Sequence, residues 1–148
     1  MTFEIRFFAS DEAVRRIGHG LLDRTLPRTE WTHEAHLAAC AWLLLERSDI
    51  LPERDMPAII RGYNEAVGTP NSDSEGYHET LTQLYIRGVR LHLAEHSGGT
   101  LTEKVNALLA GERGRRDWPL RFWSKGLLVS VAARRHFVEP DLEALPRI

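Results

Sequence analysis

The chain has 148 residues, 43% of them apolar, and a formal net charge of −2 at pH 7. A chain of this length can bury a core large enough to need neither a disulfide nor a structural zinc ion. The nearly neutral charge excludes a globally basic nucleic-acid binder and a highly charged disordered protein. We therefore expect one folded domain over residues 1–148.

The sequence has no segment typical of a membrane span or a secretion signal. The longest apolar run, 37–45, covers nine residues, whereas a membrane helix needs about 20. Charged residues interrupt 2–10, where a signal peptide would be apolar. The single cysteine, Cys40, lies among apolar residues and has no disulfide partner in the chain. We expect a cytoplasmic protein without a membrane partner, in which Cys40 is buried and reduced.

The first half of the chain predicts a short arm and three helices. Apolar and charged residues alternate over 3–7, but no later segment offers a partner strand, so we expect an extended arm. Apolar residues then recur at helical spacing over about 11–24, from Thr32 onwards, and over about 56–67. Gly68 is suited to end the third of these helices.

A polar loop then separates the third helix from a long fourth one. It runs from Gly68 to Tyr77 and is rich in turn-forming residues. Pro70 and Asn71 restrict its backbone, so we expect it to be ordered and to shape the mouth of a pocket. The fourth helix is expected over about 77–95, where apolar residues and two histidines share one face.

Two further helices complete the prediction. Thr100 and Glu103 form a capping box for a fifth helix that ends at Gly111. Asp117 could cap a sixth helix whose inward residues would be Leu120, Trp123, Leu127, Leu128 and Val131. After residue 137 the chain should be extended. The sequence thus predicts an all-α single-domain bundle of five or six helices with a short extended N-terminal arm.

The most informative polar residues are His33 and His36, which are neighbours on the apolar face of the second helix. An isolated pair of this kind is more often packed in the core with a bond to a backbone carbonyl. The intervening spacing is one residue too short for a zincin. Glu30 and His33 match the Glu-x-x-His of di-iron bundles, but the chain has no second copy.

Bundle topology brings further polar residues to this pair. In an up-and-down bundle the N-terminal ends of helices two and four lie beside the C-terminal end of helix three. Three histidines would then converge as metal ligands, namely His33, His36 and His78. Glu79 would be a further ligand or the general base, and Asn64 and Tyr63 would assist catalysis. The remaining candidates would contact a ligand, namely Asn71, Trp123 and Lys125.

Two functions follow from this arrangement. The first is a metal-dependent enzyme that uses a divalent ion such as Zn, Fe or Mn to activate water or polarise a carbonyl in a small molecule. The alternative is a metal-free module in which the same residues bind a small polar ligand. The sequence leaves open the substrate, the metal and whether the protein forms a homo-oligomer.

A third hypothesis is a nucleic-acid interface, which is suggested by basic and aromatic residues over 113–125. Such interleaving is found where single strands stack on aromatic side chains. The local excess is only three positive charges once Glu112 and Asp117 are counted. A solvated connection has the same composition, so we do not expect nucleic acid to be the partner.

Three strings resemble a family of all-helical bacterial proteins: WTHEAHL at 31–37, GYHETLT at 76–82 and FWS at 122–124. This resemblance implies the helical fold and assigns no activity. The chain is also similar to the DinB-type metal-dependent bundles, which place a histidine before leucine in their second helix, as His36 does here. That similarity implies two further ligands four residues apart on a late helix, which only His92 and His96 could supply.

Overall fold

The computed structural model describes residues 4–148, which form an all-helical domain without strands. Three short 3₁₀ helices connect the α-helices, at Arg28–Glu30, Glu112–Gly114 and Trp118–Arg121. The α-helices in chain order are α1 (Asp11–Leu22), α2 (His33–Glu46), α3 (Pro52–Ala66), α4 (Glu79–Glu95), α5 (Leu101–Ala110), α6 (Lys125–Leu128) and α7 (Val131–Arg135).

Local capping explains where the long helices begin. The Ser10 hydroxyl accepts from the Ala13 N–H at 3.1 Å, and the Thr32 hydroxyl accepts from the Ala35 N–H at 3.1 Å. Thr100 forms the predicted capping box with its third helical residue. The third helix begins earlier than predicted, because Pro52 takes its first position, where a missing N–H costs nothing.

The prediction of a sixth continuous helix is wrong. The segment instead breaks into the last 3₁₀ helix, α6 and α7, because Ser124 and Ser130 each cap a new helix. Two side chains expected to point inward are exposed, Leu120 at 43% and Val131 at 44%. The C-terminal end of the chain therefore wraps over the bundle as short pieces.

The core has two parts. In the larger, α2 lies between α1, α4 and α5, and its small residues let the other helices approach closely. Cys40 is only 4% exposed there, which confirms its predicted burial. The smaller cluster lies between α4 and the C-terminal pieces and consists of Leu84, Trp118, Phe122, Trp123 and Leu128.

The two ends of the chain are irregular, as predicted. Residues 4–8 are neither helix nor strand, and Asn106 fixes this arm by exchanging two 2.9 Å hydrogen bonds with the backbone of Phe8. Phe3, the first residue of the predicted arm, lies outside the described residues. The segment after residue 137 contains no helix. Among residues 4–148, no helix has both the length and the apolar character to cross a membrane.

Candidate functional site

A cavity of about 500 Å³ opens where the N-terminal ends of α2 and α4 meet the C-terminal end of α3. The predicted convergence of these three ends is therefore confirmed. Five of the predicted site residues line the cavity, namely His33, His36, Tyr63, Asn64 and His78. Most of the remaining wall is aliphatic or aromatic, a composition typical of small-molecule sites.

His36 is held in the wall by two contacts. Its Nδ1 lies 2.7 Å from the carbonyl oxygen of Thr32, one helical turn earlier. Its ring stacks on Trp31 with the centroids 3.7 Å apart and the planes inclined by 29°. Because a carbonyl can only accept, Nδ1 carries the hydrogen and Nε2 is left as an acceptor. Burial lowers the pKa of His36 from 6.5 to about 4, so the ring is neutral at pH 7.

His33 is held in place by two residues that lie far from it in the sequence, Gly114 and Tyr85. Its Nε2 donates to the carbonyl oxygen of Gly114 at 2.8 Å, and its ring meets Tyr85 edge-on at 5.4 Å. Burial is the main cause that lowers its pKa, and the positive charge of Arg116 adds to this effect. His33 is therefore a second neutral imidazole, with Nδ1 as its acceptor.

His78 has no nitrogen left for a ligand. It is the N-cap residue of α4, and its Nδ1 accepts from the Leu81 N–H at 3.2 Å. Its Nε2 donates to the carbonyl oxygen of Leu128 at 2.9 Å. The ring thus joins the start of α4 to the end of α6, and burial lowers its pKa. Its role in this arrangement is structural.

The predicted metal ligands therefore line one cavity without forming a coordination group. Within residues 4–148, no three histidine, cysteine, aspartate or glutamate side chains are arranged so that they could hold a metal ion. Cys40 also lines the cavity, but burial raises the pKa of its thiol to about 12, which keeps it protonated.

Asn64 and Asn71 fix the loop that leads into α4. Asn64 Nδ2 donates to Asn71 Oδ1 at 2.9 Å, and the same oxygen accepts from the Tyr77 N–H at 3.1 Å. Asn71 Nδ2 donates to the Arg61 carbonyl oxygen at 3.1 Å. Gly76 has φ +83, and a side chain there would collide with the Pro70 carbonyl oxygen. Asn71 shapes the cavity from behind, as an anchor of the wall, and is not among the residues that line it.

Tyr63 uses its hydroxyl in the same structural way. It donates to the carbonyl oxygen of Leu26 at 2.7 Å, in a buried bond that ties α3 to the chain after α1. The aromatic ring lines the cavity, whereas the hydroxyl proton is already engaged.

Besides Asn71, three predicted site residues do not line this cavity. Glu79 accepts from the Tyr77 hydroxyl and lines a separate depression with Glu53. Trp123 is fully buried in the smaller cluster, where its indole N–H donates to the Val138 carbonyl oxygen. Lys125 is exposed at the start of α6. The break in the predicted sixth helix explains the last two positions, because a continuous helix would have begun at the cavity.

Sequence reasoning missed several residues of the wall. Trp31 lines the cavity and supports His36. Tyr77 and Tyr85 add aromatic surface, and Arg28 is the one arginine or lysine that residues 4–148 contribute to the lining. Tyr85 could have been found from its helical spacing relative to His78, whereas Arg28 gives no periodic signal.

The second histidine pair lies elsewhere. His92 and His96 line another cavity, of about 540 Å³, together with residues of α5 and the C-terminal segment. His92 Nε2 donates to the Lys104 carbonyl oxygen at 2.9 Å, and the two rings stack with their centroids 4.1 Å apart. The similarity to DinB-type bundles would require these two histidines to lie beside His36, but they line a different cavity.

The basic segment at 113–125 is largely neutralised. Arg113 pairs with Glu95, Arg115 with Asp117, and Arg121 with two acidic residues. The aromatic side chains between them are buried, namely Trp118, Phe122 and Trp123. They do not present the exposed stacking surface that single-stranded nucleic acid needs.

Comparisons of the chain with protein-family models, with curated proteins and with solved structures found no match. The geometry of the site therefore carries the functional argument.

Proposed function

We propose that this protein binds a small, mainly apolar molecule in the cavity between α2, α3 and α4, without a metal ion. The observation that carries the proposal is the cavity itself, about 500 Å³ in volume and lined by aromatic and aliphatic side chains with a few fixed polar groups. Cavities of roughly 300–1,000 Å³ with such walls are typical of small-ligand sites.

The hydrogen bonds of the wall favour binding over metal-assisted chemistry. Both nitrogens of His78 already form hydrogen bonds, and the Tyr63 hydroxyl donates to a backbone carbonyl. Glu79, the expected general base, lies in a different depression. His78 and Tyr63, which would have taken part in the metal-dependent reaction, thus stabilise the walls of the cavity.

The test is a calorimetric titration of the protein with 2-methoxynaphthalene, an uncharged aromatic probe. We expect one molecule to bind per chain. Val67→Trp should weaken binding at least tenfold, because Val67 is partly buried in the cavity wall and a larger side chain would fill the space. Val129→Trp is the matched control, since Val129 is 67% exposed and does not line the cavity. Absence of binding, or equal binding by both variants, would contradict the proposal.

Elemental analysis of protein purified without an affinity tag separates this function from the metal-dependent one. The proposal predicts less than about 0.1 equivalent of Zn, Fe or Mn per chain and no rise in melting temperature when these ions are added. A stoichiometric metal that is lost in His36→Phe would instead support the metal-dependent enzyme.

A further inference from the structure

Donors remain in the cavity wall on Arg28, Trp31, Thr69 and Asn64, but most of its hydroxyl groups already donate within the protein. The protons of four hydroxyl groups in the wall are used within the protein. Tyr63 donates to Leu26, Tyr77 to Glu79, Thr82 to His78 and Tyr85 to Arg115. Each of these oxygens can then only accept a further hydrogen bond.

The two uncommitted histidine nitrogens are also acceptors. His36 donates through Nδ1 and His33 through Nε2, in both cases to a backbone carbonyl. The opposite nitrogen of each neutral ring bears a lone pair, and the side-chain hydrogen bond described for each ring is the one to its carbonyl. Asn64 keeps one acceptor and one amide hydrogen, so it can bond to a ligand in either direction.

The charges around the cavity argue against a cationic ligand. Among residues 4–148 no carboxylate lines the cavity, so a cation would find no counter-ion in the wall, and the exposed Arg28 would repel it. A carboxylate ligand could pair with Arg28, but it carries no hydrogen-bond donor for the two imidazole lone pairs.

We infer that the cavity selects an uncharged ligand that carries an O–H or N–H donor on an apolar body, and that this donor bonds to Nε2 of His36. His36 is the better placed acceptor, because Trp31 and the Thr32 carbonyl hold its ring on two sides. Phenols, aromatic alcohols and N–H heterocycles have this chemistry. The inference rests on the proposed function and specifies its ligand class.

Three naphthalene probes of similar shape test the inference. 2-Naphthol has a donor, 2-methoxynaphthalene lacks it, and 2-naphthoate is an anion. We expect 2-naphthol to bind about 5- to 10-fold more tightly than the methyl ether, the usual effect of one net hydrogen bond. 2-Naphthoate should bind more weakly than 2-naphthol. Equal affinities for the first two probes, or tightest binding of 2-naphthoate, would overturn the inference while leaving the proposed function intact.

Two variants assign the acceptor. His36→Phe keeps a ring for the contact with Trp31 but removes Nε2, so it should reduce the advantage of 2-naphthol to less than about twofold. His96→Phe is the matched control, because His96 also bonds through Nδ1 to the carbonyl one turn earlier but lines the other cavity. The advantage should persist there. Persistence in His36→Phe would overturn the assignment of His36.

If His36→Phe does not fold, an NMR measurement on the unaltered protein tests the same assignment. In ¹⁵N-histidine-labelled protein, the Nε2 resonance of His36 should be that of an unprotonated nitrogen. It should shift when 2-naphthol binds and stay in place when 2-methoxynaphthalene binds. Equal shifts with both probes would overturn the inference. If neither probe binds, the proposed function fails as well.

Discussion

The side-chain amide of Asn64 donates to the side-chain oxygen of Asn71 across 2.9 Å, which joins the end of α3 to the loop before α4. Asn71 also bonds to the backbone of Arg61 and Tyr77. One exposed loop residue thereby determines where the α4 wall of the cavity begins.

Asn71→Ala should therefore lower both stability and ligand binding. Three hydrogen bonds are lost, so we expect a decrease of about 2–3 kcal/mol in the free energy of unfolding and weaker binding of 2-methoxynaphthalene. Ser72→Ala in the same loop is the control, because the Ser72 hydroxyl bonds only within its exposed turn. It should change stability by less than about 0.5 kcal/mol. Equal effects in denaturant titrations would show that Asn71 is no anchor.

The stability of the protein should fall between pH 6.5 and pH 4. The pKa of His36 is lowered from 6.5 to about 4, so in this range the unfolded chain binds a proton that the folded chain does not. The stability that depends on a neutral His36 is fully present above pH 6.5 and is lost as the pH falls towards 4. For His36 alone the loss is on the order of 2–3 kcal/mol.

Denaturant titrations at several pH values test this dependence. His36→Phe should reduce the slope of unfolding free energy against pH in that window, whatever its effect on stability at pH 7. The pKa of Asp55 is lowered to about 2 by its hydrogen bond to Arg54, so this carboxylate protonates mainly below the window. An unchanged slope in His36→Phe would contradict a neutral buried imidazole.

Tyr63→Phe should reduce stability without reducing ligand affinity. The hydroxyl donates to the buried Leu26 carbonyl, so we expect its removal to lower the free energy of unfolding by about 1–2 kcal/mol. Because its proton is already used in this bond, it is not available to a ligand as a donor. Affinity for 2-methoxynaphthalene should stay within about twofold. Tyr85→Phe is the control, because its bond to Arg115 is exposed and should contribute less. A large loss of binding in Tyr63→Phe would restore the direct role predicted from the sequence.

Two glycine-to-alanine changes in helices should have opposite effects. A Cβ on Gly18 would lie 2.1 Å from Cε3 of the buried Trp42, so α1 and α2 would have to separate. We expect Gly18→Ala to reduce stability by about 1–3 kcal/mol, since overpacking outweighs the better helix propensity. A Cβ on Gly126 meets no heavy atom within 4 Å, so Gly126→Ala should be neutral or stabilise by up to about 1 kcal/mol. Thermal unfolding of both variants checks the pair.

Part of the site could be predicted because it depends on local patterns. Helical spacing put His33 and His36 on one face, and bundle topology brought Asn64 and His78 to the same end. The roles of these residues could not be predicted in this way. Whether a histidine nitrogen is free depends on carbonyl groups that lie far away in the chain, 81 residues from His33 and 50 from His78.

The sequence by itself determined the all-helical fold, the capping box at Thr100 and the burial of Cys40, because periodicity and capping act within a few residues. Only the tertiary structure decided that Trp31 supports His36, that Trp123 belongs to another cluster and that the last predicted helix breaks. These outcomes depend on competition between distant partners. In the broken segment, Ser124 gains two bonds to Asp141, and two serine caps replace one continuous helical ladder.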